Sequence, residues 1–80
     1  MATDLAFPDY VLGRMRQRHI SHDDVYHVVG DADDVLPRDD GRTEYTRMLD
    51  DGRELRVVIE DDGVTVVSVW DWKRRRPRRQ

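Results

Sequence analysis

Cysteine is absent from this chain. That excludes disulfides and thiolate zinc sites as props for a small fold, and it points to a reducing, cytoplasmic setting. No apolar run approaches the roughly 20 residues of a membrane-spanning helix. The leader Met1–Phe7 contains Asp4 and has no basic region followed by an apolar run, so it does not read as a signal peptide. There is no Gly-rich phosphate loop, no Gly-x-Ser-x-Gly and no cysteine nucleophile. Nucleotide hydrolysis and acyl transfer by their usual motifs are therefore disfavoured.

Charge is present in quantity, and it is divided. The first 72 residues carry all 17 acidic side chains and 8 of the 14 basic ones, a net of −9; residues 73–80 carry +6. Basic blocks of this kind often bind nucleic acid. The tail formed by Lys73, Arg74, Arg75, Arg76, Arg78 and Arg79 is thus a candidate nucleic-acid-binding element, or it folds back onto the acidic body. That body repels phosphate except where its own arginines cluster, because phosphate affinity follows counterion release. The 80 residues make one domain near the size at which a single core just suffices, and a dimer that enlarges the core is compatible with this. We read 1–72 as a single α+β domain and 73–80 as the tail.

The strongest local signal is Asp-Asp-Gly, present at Asp39-Asp40-Gly41, Asp50-Asp51-Gly52 and Asp61-Asp62-Gly63. Asp-Gly favours tight turns because Gly takes positive φ freely and Asp tolerates it. The segments Arg42–Leu49, Arg53–Glu60 and Val64–Trp72 each suit one strand, and Val35-Leu36-Pro37 suits an edge strand. Upstream, Pro8 and the apolar Val11, Leu12 and Met15 predict a helix over 8–18. Ser21 with Asp24 imitates a capping box for a second helix over 22–29, with Val25, Val28 and Val29 as its apolar stripe. Gly30 is placed to end that helix in a left-handed conformation. The expected fold is two N-terminal helices on a three- to four-stranded antiparallel meander.

Two-residue turns at Asp51-Gly52 and Asp62-Gly63 would pair Met48 with Leu55, Arg47 with Arg56 and Leu55 with Trp70. The helix-covered face would then hold Met48, Leu55, Val57, Ile59, Val66 and Trp70. Tyr45, Arg47, Arg56, Val58, Val67 and Val69 would form the other face, suited to a ligand, a dimer or a partner peptide. A three-residue turn would shift this pairing.

Three groupings carry candidate chemistry. Tyr45, Arg47 and Arg56 would form a phosphate patch, against the simpler alternative of pairing with Glu54 and Glu60. Tyr10, Arg14 and Arg18, four residues apart, line one side of the first helix; two guanidinium groups there suit a phosphoryl transition state, and a solvated basic face is the alternative. Trp70 reads as core, while Trp72 beside the tail is a candidate base-stacking residue. His19, His22 and His27 with Asp23 and Asp24 match no zinc or iron spacing. They read as surface residues, with His19 or His22 a possible acid or base. No metal or cofactor is implied.

The order Arg14-Met15-x-x-Arg18-x-Ile20-Ser21, then Val25-x-x-Val28-Val29, and Gly52-Arg53-x-Leu55-x-Val57-Val58 before a Val-rich last strand resembles the small bacterial family called domain of unknown function 4258. That family is distantly similar to BrnT-type and RelE-type ribonuclease toxins. The resemblance covers about residues 9–72. It implies a RelE/BrnT toxin-like fold and metal-independent endoribonuclease activity within a bacterial toxin-antitoxin type system. The 2′-hydroxyl would attack the adjacent phosphate. Arg14, Arg18, Arg47 and Arg56 would stabilise charge, and Tyr10 or Tyr45 would move the proton. A cognate antitoxin would be the protein partner. The chain departs from the family at Tyr10, where relatives often carry a histidine in a His-Ala-x-x-Arg-Met pattern. Beside the ribonuclease stands a non-catalytic module binding nucleic acid or protein through the same sheet face and tail, and beside that a homodimer built on the valine-rich face.

Overall fold

The computed structural model describes residues 4–73, with the backbone alone for Trp72 and Lys73. Two helices, α1 (Asp9–Arg18) and α2 (His22–Gly30), precede four strands, β1 (Asp34–Pro37), β2 (Thr43–Met48), β3 (Arg53–Ile59) and β4 (Val66–Lys73). The strands form one antiparallel sheet in sequence order, so the α+β meander expected from the turn signals is present, with four strands.

The helix ends follow from local chemistry. Ser21 Oγ accepts from the Asp24 N–H and Asp24 Oδ2 accepts from the Ser21 N–H, both at 3.0 Å, which completes the capping box of α2. α1 ends at His19, which takes φ 56° and ψ 47°. The Ile20 N–H donates to the Met15 carbonyl and the His19 N–H to the Arg16 carbonyl, the paired bonds of a Schellman stop. Ile20 and Met15 are both in the core, the apolar contact that accompanies such a stop. Gly30 does not play the expected part. It stays within α2, and the cap is Asp31 at φ −145°.

The three Asp-Asp-Gly loops share one design. In each, the Gly has positive φ (90°, 91° and 79°) and donates its N–H to the carbonyl three residues earlier. The second Asp of each triplet accepts from the N–H two residues on, at Arg42, Arg53 and Val64. The first two loops close with Arg38 N–H on the Arg42 carbonyl and Leu49 N–H on the Arg53 carbonyl. Each therefore spans three residues, with the left-handed Gly last. The third closes one residue later, with Glu60 N–H on the Thr65 carbonyl. There Asp62 also accepts the Thr65 N–H at 2.9 Å and the Thr65 hydroxyl at 2.6 Å. These bonds, the hydroxyl first, hold the Asp62 carboxyl below its ordinary pKa.

The three-residue second loop overturns the pairing expected between β2 and β3. Arg47 lies opposite Leu55, Thr46 opposite Arg56 and Met48 opposite Glu54. In the last hairpin Ile59 faces Val66 as expected, but an extra residue in β4 then sets Leu55 opposite Asp71, Val57 opposite Val69 and Arg56 opposite Trp70. Leu55, Val57, Ile59 and Val66 keep the expected face, while β2 and the part of β4 beyond Val67 present the opposite one. The helix-covered face holds Leu55, Val57, Ile59, Val66 and Val69, packed with Val11, Met15, Ile20, Val25 and Val28 and flanked by Tyr45. Met48 and Trp70, expected in the core, lie exposed on the open face instead.

Ile59 pairs with Val66 but Val58 pairs with Ser68, so Val67 is an extra residue, a bulge in β4. The leader is tied down as well. Ala6 forms a parallel bridge with Thr65, the Leu5 N–H donates to the Tyr26 hydroxyl, and the Phe7 ring meets His22 edge-on at 4.5 Å. Among the described residues no helix is long and apolar enough to cross a membrane.

Candidate functional site

α1 packs along β4, the edge strand, and leaves a groove of about 570 Å³ between them. Tyr10, Gly13, Arg14, Gln17 and Arg18 line it from the helix, and Val67, Ser68, Val69 and Trp70 from the strand. Helical geometry explains the first set: positions 10, 14, 17 and 18 share one side, while Val11 and Met15 turn into the core. The bulge explains part of the second. It sets the Val67 carbonyl where the Tyr10 hydroxyl donates to it at 3.0 Å.

The groove's two arginines differ. Arg18 donates to Asp71 Oδ1 at 3.3 Å. Arg14 is exposed and has no hydrogen-bond or ion-pair partner among the described residues. Among the described residues, the titratable side chains lining the groove are Tyr10, Arg14 and Arg18.

Asp71, buried, accepts from two arginines. Its second oxygen takes Arg53 Nη1 at 3.2 Å. Arg53 also reaches Asp51 at 2.9 Å, Asp24 at 3.8 Å and the Arg18 carbonyl at 3.0 Å. Burial works against the Arg53 charge, but its bonds to Asp51 and Asp71 outweigh it and raise the pKa above the ordinary arginine value. Arg53 is thus a clamp joining α1, α2, the second Asp-Asp-Gly loop and β4. The sequence gives no sign of this clamp because Asp24 and Asp71 come from distant segments and only Asp51 is local.

The expected Tyr45–Arg47–Arg56 patch is not formed. Tyr45 and Arg47 belong to the helix-side face, Arg56 to the open one. Tyr45 is half-buried against the core. Arg47 donates to the Asp31 carbonyl at 2.9 Å and lies 3.4 Å from Asp33 Oδ1, which ties β2 to the connection after α2. Arg56 Nε lies 2.8 Å from Glu44 Oε2, an ion pair whose N–H is not aligned as a hydrogen bond. Glu44 and, at the sheet edge, the Arg42–Glu60 pair carry the cross-strand neutralisation expected of Glu54 and Glu60.

No metal-binding group of His, Asp and Glu occurs among the described residues. The side chains of Trp72 and Lys73 and the whole of Arg74, Arg75, Arg76, Arg78 and Arg79 lie outside the described residues. Comparison with family models, curated proteins and solved structures finds no match.

Proposed function

We propose that the α1–β4 groove binds the phosphate backbone of nucleic acid and that the chain acts as a binding module. The observation that carries this is the placement of Arg14, a cation without a partner among the described residues, beside Tyr10, Arg18 and the exposed Trp70. A guanidinium offers phosphate a planar fork of donors. The three exposed arginines of α1 (Arg14, Arg16 and Arg18) concentrate positive charge on one element of an otherwise acidic body.

The titratable groups lining the groove among the described residues favour binding over cleavage. Arginine does not release its proton at neutral pH, and the Tyr10 hydroxyl already donates to a carbonyl. Transfer of a proton from a 2′-hydroxyl needs a group poised near neutrality. The family resemblance supports a second reading, a toxin-like metal-independent ribonuclease, and one observation favours it: Tyr10, Arg14 and Arg18 line the same groove.

One experiment separates the two. Fluorescence anisotropy of a labelled RNA in EDTA, followed by a gel of the same samples, gives binding and integrity together. The binding reading predicts intact RNA and weaker binding by Arg14→Glu. Fragments made by the wild type and lost in Tyr10→Phe would establish the ribonuclease instead.

A further inference from the structure

Trp70 stands out because the fold spends nothing on burying it. It is 54% exposed, on the open face of β4, whereas tryptophan is usually highly buried. Its surroundings are ordered and charged. It lines the groove together with Tyr10 and Arg14. Across the ladder it lies directly opposite Arg56, on a neighbouring strand about 4.8 Å away. Trp70 therefore sits at the lip of the edge strand, between Arg14 on the helix side and, on the open face, Arg56 paired with Glu44.

We infer that Trp70 is a base-stacking platform and that the groove takes single-stranded rather than duplex nucleic acid, a conclusion that rests on the binding reading above. A strand crossing the edge of β4 would set one phosphate at Arg14 and lay the neighbouring base on the indole. Every base has a π-face, so stacking is indifferent to sequence. In a duplex the bases stack on one another and pair through their edges, and none is free to lie on a side chain. A ligand recognised by charge alone would leave the indole without a role.

The test uses the full chain. Trp72→Phe leaves Trp70 as the sole tryptophan, because the chain has two. Its emission is followed during titration with an eight-nucleotide single-stranded RNA, the same sequence as duplex, an abasic oligonucleotide of equal length, and polyglutamate. Saturable quenching by the single strand is expected, with binding about tenfold weaker for the abasic backbone and for the duplex. In the otherwise native chain, Trp70→Ala should lose about tenfold in affinity for the single strand, and Trp70→Phe should keep most of it. Circular dichroism should show both variants folded, since the side chain is exposed. Equal binding by Trp70→Ala and wild type, with Arg14→Glu still weakened, would overturn stacking and leave the phosphate groove standing. Quenching by polyglutamate equal to that by RNA would overturn it in favour of an acidic protein partner. Failure of the wild-type chain to bind any oligonucleotide would remove the groove reading and this inference together.

Discussion

Arg53 and Arg14 show how one residue type acquires two uses in the same small fold. Around Arg53 the chain brings carboxylates from α2, a turn and β4, and the guanidinium becomes a structural clamp. Around Arg14 it brings a tyrosine, a bulged strand and an exposed tryptophan, with no carboxylate among the described residues that line the groove. The difference lies in what the topology delivers. Both arginines are equally basic in the sequence, and only the partners distinguish an internal strut from a cation available to a ligand.

The comparison can be broken most forcefully at Asp71. Asp71→Asn removes the buried charge shared by Arg18 and Arg53, and it should cost about 3 kcal/mol, read as a lower urea midpoint. Gly52→Ala places a Cβ at φ 91° in the loop that feeds Arg53, and should cost about 1–2 kcal/mol by the same measurement. Ser21→Ala breaks the capping box of α2 and should cost about 1 kcal/mol. Arg14→Glu should change stability by no more than about 0.5 kcal/mol. Its effect belongs to binding, where the slope of log affinity against log salt should fall by about one.

The smallest effect is a pH dependence at Asp62. Its folded pKa is depressed, so its contribution is complete above the unfolded aspartate value of about 3.9. It is lost as pH falls from there through the folded pKa. Thr65→Val, which removes the hydroxyl donor, should flatten the acid limb of the stability curve.

Much of this architecture was legible in the residues. Ser21 and Asp24 marked the start of α2, and the apolar spacing of Val11, Leu12 and Met15 marked α1. The Asp-Asp-Gly triplets marked three hairpin loops. The face of β3 was legible, with Leu55, Val57 and Ile59 towards the helices, but those of β2 and of the end of β4 were not, because they depend on a three-residue loop and on a bulge. In the first two loops the first Asp belongs to the loop and the left-handed Gly closes it, so each spans three residues and β2 slips by one against β3. That slip separates Arg47 from Arg56, while the Val67 bulge brings Asp71 inside and turns Trp70 outward. The Val67 bulge has no sequence signal that we recognise. Of the candidate site, the Tyr10–Arg14–Arg18 row was readable from helical spacing alone. Trp70 was not, because its exposure depends on the register.

The central claim is that nucleic acid binds in the α1–β4 groove, and it is tested most directly by mapping where RNA touches the chain. Amide chemical shifts of the full-length protein, recorded while single-stranded RNA is added, report each residue separately. The account predicts saturable changes at Tyr10–Arg18 and Val67–Trp70, absent in Arg14→Glu. Changes confined to residues 73–80, with the groove unmoved, would contradict it and assign nucleic-acid binding to the basic tail alone.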